Sequence, residues 1–308
     1  MTHFDRRAFI GASVGAAATW SAVTAAESAT PQAAADVPAP PMITLGNTGI
    51  KMSRLGQGTG VSGGRRQSEQ TRMGFEKLVE LFHHAWARGI RFYDLADLYG
   101  THVYFREALR TLKRDELTIL TKLWWRDDGP EDRTSEAWRQ QACHSAVERF
   151  MQEITTDRLD VVLLHCLMDD KWPEKMQPYM KALDDEKKRG RVRAVGVSCH
   201  DFGALKTAAA EPWVDVILAR VNPKGVKMDA SSEEVVAVLR QAKAAGKAII
   251  GMKIFGEGAL ADQREACMKF AQGLEFLDAM TIGFETPDQI DDALRLMAKH
   301  PHAAAAKV

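Results

Sequence analysis

Short apolar segments alternate with longer amphipathic segments along most of this chain, and this alternation restricts its fold more than any other feature. The apolar segments are rich in β-branched residues and lack strict apolar–polar alternation, as in LTILTK, LDVVLLH, VRAVGVS, VDVILA and KAIIGM. Parallel strands that are buried on both faces have this composition. Several of the longer segments end at a glycine just before the next strand, as at Gly89, Gly190 and Gly246. The pattern therefore predicts repeated strand–helix units.

The predicted elements form eight such units after a short hairpin over 42–51. Strands are predicted at about 53–57, 90–94, 117–122, 159–164, 193–198, 214–218, 247–252 and 279–283, and helices at about 73–88, 101–112, 134–152, 173–189, 201–210, 231–245, 263–273 and 286–299. Eight units in about 250 residues have the size of an α/β fold, the (β/α)8 TIM barrel. A doubly wound open sheet is the alternative. It would need a GxGxxG turn after the first strand, and the stretch 56–64, GQGTGVSGG, has a different spacing.

The N-terminal residues have the pattern of an export signal. Two arginines in DRRAFI precede an uncharged run that ends in small residues at Ala26. The arginine pair resembles a twin-arginine signal. An ordinary secretory signal and an uncleaved anchor are the alternatives, although the run is too rich in alanine to favour stable membrane insertion. We therefore expect a signal peptide over 1–26, cleaved near Ala26, recognition by the twin-arginine export machinery and a periplasmic location. A disordered linker is expected over 27–41, followed by the barrel over 42–308.

The charge balance argues against a nucleic-acid-binding protein, and the cysteine pattern argues against a disulfide-rich or zinc-knuckle protein. Lysine plus arginine and aspartate plus glutamate each number 41, so the net charge is zero. A nucleic-acid-binding surface would need a basic excess, and none is expected here. The four cysteines show no C-x-x-C spacing, which argues against a disulfide framework or a zinc knuckle.

Ionisable side chains follow the predicted strands at their carboxyl ends, where barrel enzymes hold their active sites. Asp94 and Tyr99 follow the second strand, Lys122 ends the third and His165 ends the fourth. The pKa of a tyrosine is too high for ready proton donation, and a neighbouring lysine lowers it. A carboxylate would keep the lysine charged, and a histidine would hydrogen-bond a substrate oxygen. This set suits protonation of an alkoxide formed by hydride transfer, which implies a nicotinamide cofactor.

The sequence resembles the aldo-keto reductase family in its segments FYDLADLYG, ILTK, VVLLHC and GVSCH, from about Met42 to the end. The resemblance implies a (β/α)8 barrel and NAD(P)H-dependent reduction of a carbonyl or oxidation of an alcohol. It implies that Tyr99 is the general acid/base, that Lys122 and Asp94 tune it and that His165 orients the substrate. Trp124 and Trp125 follow Lys122 and are expected to line the substrate pocket, where aromatic faces would suit a sugar.

The same resemblance implies a cofactor site. Ser198 is the clearest match at the nicotinamide end, but Cys199 stands where the family usually has asparagine, and Leu218 and Val221 stand where it has glutamine and tyrosine. Gly256 and Gly258, with Lys253, suit a pyrophosphate. The residues that fit the adenosine end are Gly283, Thr286, Gln289 and Asp292. No cation in this last loop is placed to bind a 2′-phosphate, so the cofactor is NADP(H) or NAD(H).

Two other functions remain possible from the sequence. His165, Cys166, Cys199 and His200 are residue types that bind metals, which would suit a metal-dependent barrel hydrolase or isomerase. However, neither pair has a spacing that directs both side chains inward, and no metal is predicted. The changed nicotinamide contacts would also suit a barrel that binds the cofactor without turnover.

Overall fold

The computed structural model describes residues 37–126 and 133–304, so the predicted signal peptide and most of the predicted linker lie outside the described residues. The strands are β1 (Met42–Thr44), β2 (Lys51–Ser53), β3 (Leu55–Gly58), β4 (Phe92–Asp94), β5 (Thr118–Leu123), β6 (Leu159–Leu167), β7 (Val192–Cys199), β8 (Val216–Arg220), β9 (Ala248–Met252) and β10 (Ala279–Ile282). The α-helices are α1 (Glu69–Arg72), α2 (Phe75–Ala87), α3 (His102–Leu109), α4 (Glu136–Ile154), α5 (Trp172–Lys188), α6 (Phe202–Ala210), α7 (Ser232–Ala244), α8 (Arg264–Gly273) and α9 (Pro287–Lys299). Within these ranges, no helix has the length and apolar character needed to cross a bilayer.

Strands β3 to β10 form a closed barrel. They are neighbours in chain order, and β10 pairs with β3 to complete the ring. Every pairing in this ring is parallel. Each predicted strand and each predicted helix has a counterpart in the structure, and the predicted (β/α)8 barrel is confirmed.

The hairpin of β1 and β2 closes the amino end of the barrel. Its strands are antiparallel, as predicted. Leu45, Ile50 and Met52 from this hairpin are fully buried and pack with the side chains that fill the barrel. The hydroxyl of Thr118, the first residue of β5, donates to the Lys51 carbonyl at 2.9 Å. The carboxyl end of the barrel is therefore the end that is available for a site.

The core has two layers, because successive side chains of a strand point to opposite faces. The inner layer fills the barrel, and the outer layer packs the strands against the helices. Inner-layer residues on the strands are Phe92, Leu120, Val161, Leu163, Ala194, Val216, Leu218, Ala248, Ile250 and Ala279. Any side chain two positions beyond one of these residues also faces the barrel interior, at its carboxyl end.

Short elements and strand ends differ from the predictions. Helix α1 and the 3-10 helix Asp97–Tyr99 were not predicted, because both are too short to show a hydrophobic period. Helix α1 is instead defined by a capping box between Ser68 and Thr71. Strand β6 is longer than predicted and includes His165, while Ser53 belongs to the hairpin and not to the first barrel strand.

Candidate active site

Three of the four predicted catalytic side chains lie at the carboxyl end of the barrel. Asp94, Lys122 and His165 each stand two positions beyond an inner-layer residue, so all three point into the barrel. Lys122 forms an ion pair with Asp94, and its Nζ also donates to the Leu95 carbonyl at 3.1 Å. Asp94, Lys122 and His165 are all buried. The strand register therefore brings these groups together in a site that excludes most water.

Tyr99 reaches the same point from the 3-10 helix that follows β4. Its Oη lies 3.3 Å from Nε2 of His165, and the two rings meet edge to face. Lys122 Nζ lies 4.8 Å from the centroid of the tyrosine ring. The structure thus brings together all four residues that the sequence singles out.

Two glycines make room for this tyrosine. A Cβ atom on Gly60 would lie 2.3 Å from the ring of Tyr99, and one on Gly63 would lie 2.5 Å from it. Both distances are far shorter than a van der Waals contact. The glycines of the stretch 56–64 therefore let the loop after β3 pack on the Tyr99 ring.

Burial determines the protonation of Tyr99 and His165. Burial raises the pKa of Tyr99 well above its usual range, and the charge of Asp94 raises it further. Burial lowers the pKa of His165 well below its usual range, and the charge of Lys122 lowers it further. Tyr99 is thus protonated and His165 neutral at neutral pH. The expected lowering of the Tyr99 pKa is therefore wrong in direction: burial and the charge of Asp94 raise it, and the charge that opposes this rise is that of Arg220.

An ion-pair network holds the 3-10 helix that carries Tyr99. Asp97, the first residue of that helix, is buried and accepts two bonds of 2.8 Å from the Arg149 guanidinium. Arg66, from the loop that covers the tyrosine, donates to the same carboxylate at 2.6 Å. Asp97 therefore joins the catalytic segment to helix α4 and to the loop before α1.

The network continues to the strand that carries Lys122. Glu153 accepts from Arg66 at 2.8 Å and from Arg149 at 3.1 Å, and it lies 2.7 Å from Nδ1 of His102. The other ring nitrogen of His102 lies 2.7 Å from the hydroxyl of Thr121, the residue before Lys122. None of these residues was singled out from the sequence, because their partners are distant in the chain.

A cleft of about 790 Å³ extends away from Tyr99 between the loops after β3, β9 and β10. Its lining residues are Gly58, Gly60, Val61, Asp94, Tyr99, Met252, Lys253, Ile254, Phe255, Glu257, Gly258, Ala261, Arg264, Thr281, Ile282, Gly283, Phe284, Glu285, Asp288, Gln289, Asp292 and Arg295. The predicted cofactor residues among them are Lys253, Gly258, Gly283, Gln289 and Asp292.

The other predicted cofactor residues lie beside the cleft. Ser198 is buried, and its hydroxyl accepts from the Cys166 backbone N–H at 3.1 Å. Gly256 is buried in a left-handed conformation, with φ of 60°. Thr286 caps α9, where its hydroxyl accepts from the Gln289 N–H at 3.3 Å. Each of the three supports a wall of the site, and their cofactor roles stay predictions.

An acidic residue that the sequence did not single out faces the predicted pyrophosphate cation. Glu257 lies 3.2 Å from Nζ of Lys253, and both side chains line the cleft. Both residues have positive φ angles, 55° for Lys253 and 58° for Glu257. A phosphate that binds Lys253 would therefore replace the Glu257 carboxylate as its partner.

Two arginines stand at the far end of the cleft. Arg264 pairs with Asp292, and Arg295 lines the same region. The loop after β10 contains no cation that could bind a 2′-phosphate, as the sequence indicates. Arg264 comes from the start of α8 instead, so only the folded structure brings it to the adenosine-end residues.

The two tryptophans flank His165. The ring of Trp124 meets the imidazole edge-on, with centroids 5.7 Å apart. Trp125 donates its indole N–H to the His165 carbonyl at 2.9 Å. Trp124 therefore contacts the His165 ring directly, whereas Trp125 holds the backbone of the strand end.

The three departures from the family pattern do not line the cleft. Cys199 and Val221 are fully buried in the outer layer, and Leu218 is fully buried in the inner layer. Met252, two positions beyond Ile250, is the side chain that faces the cleft at the end of β9. The described residues also include no group of three or more histidine, cysteine, aspartate or glutamate side chains placed to hold a metal ion.

Comparison with known proteins decides the family. The model of the aldo/keto reductase family matches residues 54–302, which is most of the chain. The chain belongs to the aldo/keto reductase family. The fold agrees: a putative aldo-keto reductase from Pseudomonas aeruginosa superposes with a TM-score of 0.66 at 22% identity, over 84% of this chain and 94% of that one. A Bombyx mori aldo-keto reductase, solved in complex with NADP, gives 0.61 at 18% identity, over 84% and 88%.

Sequence relatives with named activities match over shorter stretches. D-threo-aldose 1-dehydrogenase from Pseudomonas sp is 25% identical over 58% of this chain and 59% of its own length. Glyoxal reductase from Bacillus subtilis is 30% identical over 42% of this chain and 44% of its own length. The matches thus span about half the length of these curated relatives.

We expect Asp97→Asn to lower the free energy of unfolding by about 1–3 kcal/mol, because it removes the charge of a buried carboxylate that two arginines share. Urea unfolding followed by circular dichroism measures this change. Glu69→Gln is the matched control, since Glu69 forms an exposed pair with Arg72 at 2.9 Å, and its loss should change stability by less than about 0.5 kcal/mol. Equal effects of the two variants would contradict the role given to Asp97.

Proposed function

We propose that this aldo/keto reductase family member is an NAD(P)-dependent oxidoreductase that interconverts a small carbonyl compound and its alcohol. The observation that carries the proposal is the placement of a protonated Tyr99 Oη 3.3 Å from Nε2 of a neutral His165, beside the cleft. A carbonyl oxygen that approaches both atoms would meet two hydrogen-bonding groups, one of which can give up a proton.

The cleft fits a dinucleotide. A Cβ atom on Gly283 would lie 2.4 Å from the Val61 side chain, and one on Gly58 would lie 2.9 Å from the Thr281 hydroxyl, so these glycines let the loops that line the cleft pack closely together. Lys253, Arg264 and Arg295 supply positive charge along its length. Lys253 would hold a phosphate and the two arginines would hold the adenosine end. A bound nicotinamide supplies or accepts the hydride.

The chain itself handles the proton. In the reduction, Tyr99 donates its phenolic proton to the oxygen of the former carbonyl while Nε2 of His165 orients that oxygen. The tyrosine is left as a phenolate next to Lys122, whose ammonium group faces the ring at 4.8 Å. This charge favours the phenolate once it has formed. In the oxidation, the same phenolate accepts the proton of the alcohol.

The names of the relatives suggest which cofactor and which class of substrate this protein uses. The Bombyx mori structure contains NADP, and two relatives are named for an aldose and for glyoxal. We therefore propose NADP(H) or NAD(H) as the cofactor and a small aldehyde, ketone or sugar as the substrate. Trp124, at the edge of His165, is the aromatic surface on which a sugar ring would pack.

We expect Tyr99→Phe to lower kcat/KM for carbonyl reduction by at least about a hundredfold, since it removes the general acid. Glyoxal and short aldoses, assayed with NADPH and with NADH, are the test substrates. Tyr104→Phe is the control, because Tyr104 packs against Phe75 on the helix surface, with ring centroids 5.1 Å apart, and should behave as the unmodified protein.

Binding of the dinucleotide, measured by fluorescence titration, separates the alternatives. Tyr99→Phe should leave the Kd within about threefold, because a hydroxyl that does not bind the cofactor contributes little to its affinity. Turnover that is unaffected in Tyr99→Phe would refute the assigned role. Dinucleotide binding without turnover of any carbonyl would favour a non-catalytic barrel.

We expect the rate of reduction to stay constant from about pH 7 to about pH 9 and to fall only above the usual tyrosine range. The protonated form of Tyr99 is the active one, and burial holds its pKa above that range, so the acid form persists as the pH rises. Stopped-flow single turnovers across this range measure the dependence. A fall in rate with a midpoint below about pH 9 would contradict a tyrosine in this environment.

We further propose that the protein is exported to the periplasm by the twin-arginine machinery, because Arg6 and Arg7 precede an uncharged run that ends in small residues. This pathway carries folded proteins, which would let the cofactor bind before export. Replacement of both arginines by lysine should leave the chain unprocessed in the cytoplasm. Unchanged processing near Ala26, read by intact mass, would indicate an ordinary secretory route.

A further inference from the structure

We propose that Arg220 forms a binding subsite for a carboxylate of the substrate, so that the substrate class is a carbonyl compound that bears an acidic group. This inference rests on the proposed function and adds the chemistry of the second substrate group. Neither the sequence motifs nor the family pattern singled out Arg220 as a binding residue.

The strand register places Arg220 at the mouth of the barrel. Arg220 ends β8 two positions beyond the inner-layer residue Leu218, so its side chain faces the interior side of the ring. On one side it pairs in register with Met252, which lines the cleft. On the other side lies β7, where Ser198 pairs with Leu218. Two residues further along both strands, the same register places His200 next to Arg220.

His200 links this position to the catalytic histidine. Its ring lies 6.4 Å from the ring of His165, and its Nε2 lies 3.5 Å from the Cys166 sulfur. Burial lowers the pKa of His200, and the charge of Arg220 lowers it further. Burial raises the pKa values of Cys166 and Tyr99, and the charge of Arg220 opposes both rises. Arg220 thus stands next to His200, whose ring neighbours that of His165, and from there we infer that it binds another part of the same small molecule.

The guanidinium has one occupied edge and one free edge. Its Nη1 donates to Asp229 at 3.0 Å. Its Nε is buried and has no hydrogen-bond partner among residues 37–126 and 133–304. A carboxylate binds arginine most favourably through two parallel bonds, and the edge formed by Nε and Nη2 offers this geometry. A buried donor without an acceptor is costly, so a ligand oxygen at Nε would remove a penalty that the protein alone leaves in place.

The surroundings favour an anion over a neutral group. His165 and His200 are both neutral, because the pKa of each is lowered by burial; that of His200 falls to about 3. Arg126 adds a second cation at the rim, 5.6 Å from the ring of Trp124. The nearest acid, Asp229, is engaged with Nη1, and burial raises its pKa to about 6. Within residues 37–126 and 133–304, Asp229 is the acid paired with Arg220, and Arg126 is a further cation on this side of the site, which favours an anionic group.

The anion that binds Arg220 could come from either of two molecules, because the phosphates of the dinucleotide are anions as well as the carboxylate of the substrate. The two sources are distinguished by measuring substrate discrimination and cofactor affinity separately. The substrate is favoured, since Lys253, Arg264 and Arg295 line the cleft and Arg220 does not, and since its neighbour His200 lies beside His165.

The experiment compares straight-chain aldehydes of two to five carbons that end in a carboxylate with their methyl esters, in the presence of saturating dinucleotide. We expect the unmodified protein to prefer one of the acids over its ester by at least about tenfold in kcat/KM, the size of one charged hydrogen bond. Arg220→Gln should lower this ratio by about tenfold or more, mainly through KM. Arg220→Lys should lower it by less, because it keeps the charge but loses the two-bond geometry.

Asp229→Asn is the matched control for a purely structural ion pair. It breaks the same pair but keeps the guanidinium, so the preference for the acid should persist or increase. If Arg220 had only a structural role, Arg220→Gln and Asp229→Asn would change stability alike and neither would change the ratio of acid to ester. That result, or an unmodified protein that prefers the esters, would overturn the inference.

Two further readouts keep the inference separate from the proposed function. A loss of dinucleotide affinity in Arg220→Gln, with an unchanged ratio of acid to ester, would assign the arginine to the cofactor and overturn the proposal. If the unmodified protein reduces no carbonyl, the proposed function fails, and the quenching of tryptophan fluorescence by the acids and esters then tests Arg220 by binding alone. Equal binding of acid and ester would overturn the inference in that case.

Discussion

The alternation of side chains along a closed ring of parallel strands is the constraint on which the rest of this structure depends. The same period of two that fills the barrel with Phe92, Leu120 and Leu163 brings Asp94, Lys122 and His165 to its carboxyl end. It also directs Cys199 and Val221 outward, into the layer under the helices. Packing and chemistry are therefore two results of one register, and a shift of one residue in any strand would destroy both.

Buried charges in this site are almost all paired, and the pairs serve geometry more than stability. A buried ion pair gains little net free energy, because desolvation offsets most of the attraction. Lys122 with Asp94, and Asp97 with its two arginines, instead fix the positions of the reacting groups and of the segment that carries Tyr99. Tyr99 keeps its proton because it is buried, and Lys122 is held 4.8 Å from its ring, where its charge would favour the phenolate of the proposed reaction.

The sequence was sufficient for the barrel and for the four side chains that meet at its carboxyl end, because both depend on local patterns. Strand and helix periods are short-range signals, and Tyr99 lies a fixed five residues after Asp94. Asp97, Glu257 and Arg264 escaped prediction because their roles arise from partners in other elements, such as Arg149 for Asp97 and Asp292 for Arg264. The pKa of Tyr99 was predicted in the wrong direction for a related reason: burial is a property of the whole fold, and no neighbouring residue in the chain reports it.

The hairpin of β1 and β2 has a kinetic consequence. Leu45, Ile50 and Met52 cover the amino end of the barrel, and the inner layer fills its interior, so in the described part of the chain Tyr99 is reached from the carboxyl end. A substrate would therefore enter and its product leave past the same loops. In that case the release of one molecule limits how soon the next one binds, however fast the chemical step is.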